Sequence, residues 1–153
     1  MRRSKRPQSG DYAIAISKTV KRLPLSERAV RAAAVATLAH ERADSAMLSV
    51  AFVGKAAIAR LNKAYLGRLG ATDVLSFSLQ SPGNDAVVIG DIYICPEVAR
   101  ANARRQGVAL REELRRLVVH GVLHALGNDH PDDERRTSSS MWRKQESILA
   151  GIA

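Results

Sequence analysis

The chain has 153 residues, a formal net charge of +9 and one cysteine, Cys95. Its length suits a single domain with a hydrophobic core, and a lone cysteine excludes an internal disulfide. The charged N-terminus is not followed by an apolar stretch of signal-peptide length, and no run reaches the length of a membrane span. We therefore expect a soluble, cytoplasmic protein with a flexible basic tail at 1–10 and one domain at 11–153.

The first half of the chain predicts two strands, each followed by a helix. Asp11–Ser17 alternates sufficiently to be a strand, and Ser26 is a suitable N-cap for the alanine-rich helix after it. Ser45–Val53 is strand-like, and residues 55–67 have the apolar spacing of a helix. His40 lies near the end of the first helix, where a cation suits the helix dipole, so we interpret it as a structural residue.

Two strand-like runs and three helical runs make up the second half. The strands flank a turn rich in Ser, Pro, Gly, Asn and Asp, so they are expected to pair as a hairpin. The middle helix is apolar nearly all round in its second half and should be central and buried. This order of elements predicts an α+β fold, a single layer-type domain in which a mixed sheet of about four strands is packed with helices. The runs are strands at 74–79 and 86–95 and helices at 96–107, 110–126 and 134–150.

Positive charge is clustered along the chain, which favours a polyanionic partner because neutralised phosphates release counterions. A solvated surface that merely keeps the protein soluble is the alternative interpretation. Aromatic residues make up only 4% of the chain, which argues against a platform that stacks single-stranded bases and favours recognition of shape and backbone. The clusters are Arg2, Arg3, Lys5 and Arg6; Lys18, Lys21 and Arg22; Arg111, Arg115 and Arg116; and Arg135, Arg136, Arg143 and Lys144.

Three of the four histidines lie close together, in the pattern H-G-x-x-H-x-x-G-x-x-H. His120 and His124 are four residues apart, so on a helix they project from one face. Gly127 can end the helix in a left-handed conformation, which lets the chain double back and bring His130 to the same point. Three imidazoles at one point predict a metal site on the central helix, with the open coordination position that a catalytic metal needs.

The same spacing occurs in the zinc motif of one class of metalloprotease, H-E-x-x-H-x-x-G-x-x-H, with one difference. Gly121 stands where the protease motif has the glutamate that acts as general base. The ligand pattern is therefore present without the peptidase base, and this absence and the basic charge both oppose a protease.

Three segments of the chain resemble the YbeY family, the bacterial rRNA maturation factors regarded as single-strand-specific, metal-dependent endoribonucleases. They are LNKAYLGRLGATDVLSF at 61–77, IGDIYIC at 89–95 and VVHGVLHALGNDH at 118–130, in the family's order and spacing. In the family, as here, a glycine follows the first histidine.

The resemblance implies a cofactor, a substrate and partners. The cofactor is one zinc ion per chain, bound by His120, His124 and His130. The substrate is small-subunit (16S) ribosomal RNA, whose ends the family matures, and the family also acts in ribosome quality control. The implied partners are therefore the small ribosomal subunit, ribosomal proteins and a ribosome-associated GTPase, with no membrane.

The loop between the predicted helix at 55–67 and the predicted strand at 74–79 departs from the family pattern. The family usually has a functional arginine straight after the tyrosine of the LN-x-x-Y segment, and here that position is Leu66. We expect Arg68, between Gly67 and Gly70, to supply the missing catalytic charge; otherwise the activity should be weakened. Ala71 replaces the family's proline and should loosen the loop slightly.

Carboxylates near the histidines are candidate partners of the metal ligands. Asp129 is adjacent to His130 and is expected to orient an imidazole. Asp91 lies inside an apolar strand, where an unpaired carboxylate is costly, so it either anchors a ligand histidine or satisfies buried backbone groups. Asp132 and Asp133 are better interpreted as caps of the last helix than as proton carriers.

Three functions thus emerge from the sequence. The predicted one is a zinc-dependent endoribonuclease of ribosome maturation. A zinc-stabilised, non-catalytic ribosome-binding assembly factor is the first alternative, because Leu66 replaces the family arginine. A metalloprotease is the second, supported only by the spacing of the histidines.

Overall fold

The computed structural model describes residues 11–79, 87–129, 135 and 139–152. Within those residues the chain forms a four-stranded sheet and five α-helices, which confirms the predicted α+β fold. The segment 1–10 and the predicted turn at 81–85 lie outside the described residues. The elements are β1 (Asp11–Lys18), α1 (Glu27–His40), β2 (Ser45–Phe52), α2 (Lys55–Leu66), β3 (Val74–Ser78), β4 (Val87–Ile94), α3 (Pro96–Gln106), α4 (Leu110–Ala125) and α5 (Ser140–Ile152).

The sheet is mixed, with the strand order β1-β2-β4-β3. β1, β2 and β4 run parallel, and β3 pairs antiparallel with β4, as the predicted hairpin requires. In this register Leu48 of β2 lies between Ile14 of β1 and Gly90 of β4. Because β3 is the last strand in this order, it forms the edge of the sheet on the side where the candidate site lies.

α4 is the central helix and lies on one face of the sheet against β3 and β4, with α1, α3 and α5 around it. Leu114, Val118, Val122 and Leu123 are fully buried, and burying each such side chain contributes about 1.5–3 kcal/mol. The predicted central, buried helix is therefore confirmed, and side chains on it are held on a rigid element. Although α4 is largely apolar, neither it nor any other described helix combines the length and composition needed to cross a membrane.

Three residues interpreted as structural from the sequence have structural roles. Ser26 caps α1, because its Oγ accepts a hydrogen bond from the amide of Ala29 (3.1 Å). His40 ends α1, with its Nδ1 3.2 Å from Glu41 Oε2. Cys95 is fully buried and packs as a small hydrophobic residue.

α5 begins at Ser140, later than the start predicted near 134. Ser139 precedes it, and its Oγ accepts a hydrogen bond from a backbone amide of the first turn (3.2 Å). Serines bond to nearby backbone groups and favour caps over helix interiors, which explains the later start. Ser139 therefore caps the first turn of α5, and Asp132 and Asp133, which were predicted to cap this helix, lie outside the described residues.

Candidate metal centre and its cleft

The two histidines of α4 lie one turn apart on the same face of the helix. The ring centroids of His120 and His124 are 4.7 Å apart, and the rings are inclined at 71°. Both residues are half-buried, so each ring is held by its helix while part of it reaches solvent. This geometry agrees with the helical spacing predicted for the pair.

Gly121 allows α4 to lie directly on the sheet. A Cβ atom at this position would lie 2.7 Å from Ile92 Cγ2, whereas carbons in contact are normally about 3.5–4.0 Å apart. The Oγ of Ser76 on β3 donates a hydrogen bond to the Gly121 carbonyl oxygen (2.7 Å), which ties the edge strand to the same turn. Position 121 is therefore a packing position, and a glutamate there would enter the helix–sheet interface rather than the cleft.

The chain leaves α4 through a turn that is fixed to two other helices. Gly127 has a left-handed φ of 94°, and its amide donates to the carbonyl oxygen of His124 (2.9 Å). Lys144 of α5 donates from Nζ to Glu41 Oε1 (2.9 Å) and to Asn128 Oδ1 (3.0 Å), and Asn128 Nδ2 also donates to Glu41 Oε1 (3.2 Å). Burial opposes ionisation of Glu41, but these hydrogen bonds and the charge of Lys144 outweigh it and lower the pKa of Glu41.

The third predicted ligand, His130, lies just beyond the described part of this turn. Within the described residues, no three His, Cys, Asp or Glu side chains are grouped closely enough to hold a metal ion. Asp129 is exposed and lines the same cleft as His120 and His124. His120, His124 and Asp129 thus line one cleft, and the role of His130 stays a prediction.

A cleft of about 900 Å³ opens in front of the two histidines. Its walls come from the loop after α2 and from β3, α3, α4 and α5. Arg68 and Leu66 both line it. The arginine expected to act in the site and the position where the family usually has its arginine therefore face the same space as the histidines. Trp142 of α5 contributes an aromatic side chain to the wall of the cleft.

Buried and capped polar groups fix the loop that carries Arg68. Asn62 is only 6% exposed, and its Nδ2 donates to the carbonyl oxygen of Gly70 (3.0 Å). Gly70 itself has a left-handed φ of 95°. Asp73 accepts hydrogen bonds from the amide of Val74 (2.8 Å) and from Asn102 Nδ2 of α3 (3.2 Å). The loop is therefore anchored at both ends, while the Arg68 side chain is exposed to the cleft.

A line of polar contacts runs behind His120 into α5. The Nδ1 atom of His120 is 2.8 Å from Oε1 of Gln145, whose side chain is 1% exposed. Gln145 Nε2 donates to Glu146 Oε1 (3.3 Å), and Arg116 Nε donates to the same oxygen (3.1 Å). Burial opposes the charged form of Arg116, but the hydrogen bond and charge of Glu146, with further acidic neighbours on α4, raise the pKa of Arg116.

Asp91 is not brought to the two described histidines of the site, His120 and His124 of α4. Ile92 meets α4 at Gly121, and successive side chains of a strand point to opposite faces, so Asp91 belongs to the other face of the sheet. Its Oδ1 accepts a hydrogen bond from Ser49 Oγ on β2 (2.7 Å). Burial and the charge of Asp91 raise the pKa of Tyr93, two residues along the same strand.

Sequence reasoning missed several polar residues of the cleft, including Gln145, Asn62 and Arg105. Gln145 is buried on α5 together with Met141 and Ile148, at helical spacing. A glutamine at an apolar helical position is unusual enough to be a signal, because buried polar groups require partners. Arg105 has no distinguishing pattern in the sequence.

Comparison with known proteins adds independent findings. The family model described as "Endoribonuclease YbeY" matches residues 14–153. A relative with that name from Synechococcus sp. (strain CC9605) is 40% identical over 112 residues, which are 70% of this chain and 66% of the relative. One from Frankia alni is 42% identical over 118 residues, 69% and 62% of the two chains. One from Pelotomaculum thermopropionicum is 39% identical over 127 residues, 80% and 82%. The chain thus spans just under two thirds of the first two relatives.

The fold also matches a solved structure. The solution structure of TM1509 from Thermotoga maritima has a TM-score of 0.61 to this chain at 26% sequence identity, covering 91% of this chain and 88% of that one. The fold, the family model and relatives at about 40% identity agree. The chain therefore belongs to the YbeY endoribonuclease family.

Proposed function

We propose that this protein is a zinc-dependent, single-strand-specific endoribonuclease that acts in maturation of small-subunit (16S) ribosomal RNA and in ribosome quality control. The observation that carries the proposal is the cleft shared by His120, His124 and Arg68 in a chain of this family. A cation and a pair of metal-binding side chains facing one space suit the cleavage of a phosphodiester.

The residues present fit one zinc ion per chain, held by His120, His124 and His130. Imidazole nitrogens are ligands that zinc prefers, and the two rings of α4 are close, half-buried and open to the cleft. When bound, zinc supplies Lewis acidity that activates water and offsets charge on a phosphate. Asp129, next to His130, would orient that imidazole, because ligating histidines usually donate their second nitrogen to a carboxylate or carbonyl.

Arg68 would bind the scissile phosphate and stabilise the negative charge that develops there. Its loop is anchored through Asn62 and Asp73, so the backbone at Arg68 is held in place while the side chain remains exposed. Leu66, at the position where the family usually has arginine, also lines the cleft, so either position can present a side chain to the same space.

The size of the cleft supports the preference for single strands. Pockets of about 300–1,000 Å³ enclose a drug-sized ligand, and the cleft of about 900 Å³ is at the upper end of that range. Such a space suits a few unpaired nucleotides whose backbone can bend into it, whereas a duplex presents its phosphates on a wide, stiff surface. The net charge of +9 would add sequence-independent attraction to ribosomal RNA and to the small subunit.

The implied cellular setting completes the proposal. The family resemblance points to work in the cytoplasm, on the small ribosomal subunit, with ribosomal proteins and a ribosome-associated GTPase as further partners. A metalloprotease is disfavoured because Gly121 packs against Ile92, which leaves no room for the peptidase base at that position. The non-catalytic assembly factor is the alternative that an activity assay must separate.

The deciding experiment uses a labelled RNA that joins a duplex to a single-stranded extension. We expect cleavage only in the extension, loss of cleavage with a chelator, and recovery when zinc is restored. His124→Ala should be inactive, and His40→Ala, which changes a histidine outside the cleft, should cleave like the parent. Binding of the RNA without any zinc-dependent cleavage would instead establish the non-catalytic assembly factor.

A further inference from the structure

Gln145 is a buried amide in contact with a candidate metal ligand of the cleft. Its Oε1 lies 2.8 Å from His120 Nδ1, and its side chain is 1% exposed. A buried amide of this kind costs free energy unless both its ends are paired. The identity of its two partners therefore determines which way the amide points.

The nitrogen end of the amide is already committed to a carboxylate. Gln145 Nε2 donates to Glu146 Oε1 (3.3 Å), an oxygen that also accepts from Arg116 Nε (3.1 Å). An amide turned by 180° would place the oxygen of Gln145 against the carboxylate oxygen of Glu146, and two acceptors repel each other. The hydrogen-bond inventory of the three side chains thus directs the amide oxygen to the imidazole.

An amide oxygen can only accept, so His120 Nδ1 must carry the proton. In a neutral imidazole the other nitrogen, Nε2, then has the free lone pair, and a metal ligand needs that lone pair. We propose that Gln145 is a positioning residue that holds His120 as the Nδ1–H tautomer and presents its Nε2 atom for zinc. This inference rests on the proposed zinc site but not on RNA cleavage.

The chain of contacts also couples this tautomer to the packing of α5 on α4. Arg116 lies on α4 one turn before His120, and Gln145 and Glu146 lie on α5. The ion pair between Arg116 and Glu146 therefore fixes the helix that carries the amide, and the amide fixes the ring. A polar residue at a buried position of α5 is explained by this role rather than by packing.

The test replaces Gln145 by Met, which has similar length but cannot accept this hydrogen bond. Zinc affinity, measured by competition with a chelating indicator, should fall by about 10–100-fold, the usual effect of removing such a partner of a ligand histidine. Gln145→Glu keeps an accepting oxygen and should retain more affinity than Gln145→Met. Ile148→Met, another buried position of α5, controls for altered helix packing and should bind zinc like the parent.

A second readout needs neither metal nor RNA. In the zinc-free protein, at a pH well above the ordinary histidine pKa of about 6.5, the ring ¹⁵N shifts of His120 should report a protonated Nδ1 and an unprotonated Nε2. Gln145→Met should lose this preference. A parent protein with a protonated Nε2, or equal zinc affinities in the parent and Gln145→Met, overturns the proposal. Zinc binding that depends on Gln145 in a protein that fails to cleave RNA would uphold the inference and reject only the proposed activity.

Discussion

Replacing Gly121 by alanine tests the contact that lets α4 lie on the sheet. Alanine is favoured over glycine inside a helix by about 1 kcal/mol, so the substitution would stabilise an isolated helix. In the protein the new Cβ would lie 2.7 Å from Ile92 Cγ2. Ile92 is fully buried and β-branched, so its side chain has little freedom to yield. Overpacking of this kind costs about 1–3 kcal/mol, and after the helix preference is subtracted we expect a net loss of up to about 2 kcal/mol.

The packing explanation makes a sharper prediction when Ile92 is removed as well. Ile92→Ala alone should cost about 2–5 kcal/mol because it leaves a cavity. In that background the same Gly121→Ala change should become stabilising by about 1 kcal/mol, since only the helix preference remains. Urea unfolding of the zinc-free proteins, followed by circular dichroism, gives the four free energies of this cycle. If Gly121→Ala stabilises the parent protein, the close contact with Ile92 does not control this position.

Four further predictions address the site and its surface. Arg68→Ala should reduce RNA cleavage by about a hundredfold or more with unchanged zinc content, and Leu66→Arg in that variant should restore it; full activity of Arg68→Ala would remove the residue from the mechanism. His124→Ala should lose most of its zinc and melt at a lower temperature, because metal binding adds to folding free energy, whereas elemental analysis showing full zinc occupancy would contradict the ligand assignment. Binding of ribosomal RNA should weaken by orders of magnitude between about 50 and 200 mM salt, and a flat salt dependence would mean that the basic surface serves solubility alone. The pKa of Glu41 is lowered in the folded protein, so its stabilisation is present above the ordinary value of 4.5 and is lost as the pH falls through the folded value; the stability difference between the parent and Glu41→Gln in urea should therefore shrink below pH 4.5, and a constant difference would refute the assignment.

The sequence predicted those parts of the site that depend on local spacing. His120 and His124 are related by one turn of a helix, so their common face followed from the helical period alone. The strands were likewise recognisable from short runs, and β3 and β4 pair as expected. Asp91 shows the limit of this reasoning, because a strand's alternation gives two faces but does not say which one meets the helix.

The remaining features depend on contacts between distant segments. Gly121 looked like the absence of a protease base, and only its closeness to Ile92 reveals a packing requirement. Gln145 lies 25 residues from His120, and no local pattern joins them. The start of α5 was misjudged because the serines before it favour capping, an effect that the apolar spacing of the helix does not contain.

The walls of the cleft come from four separate stretches of the chain, so the site is lost when any one of these stretches moves away. α5 supplies Trp142 and Gln145 and is held mainly by its contacts with α4 and α1. Release of that one helix would remove a side of the cleft and the partner of His120 while the sheet stayed intact. Native proteins open locally in such cooperative units at a lower free energy than global unfolding requires. Hydrogen exchange of the amides of α5 would therefore measure how often the assembled site opens. The amides of α4 should exchange more slowly, because α4 stays folded when α5 is released.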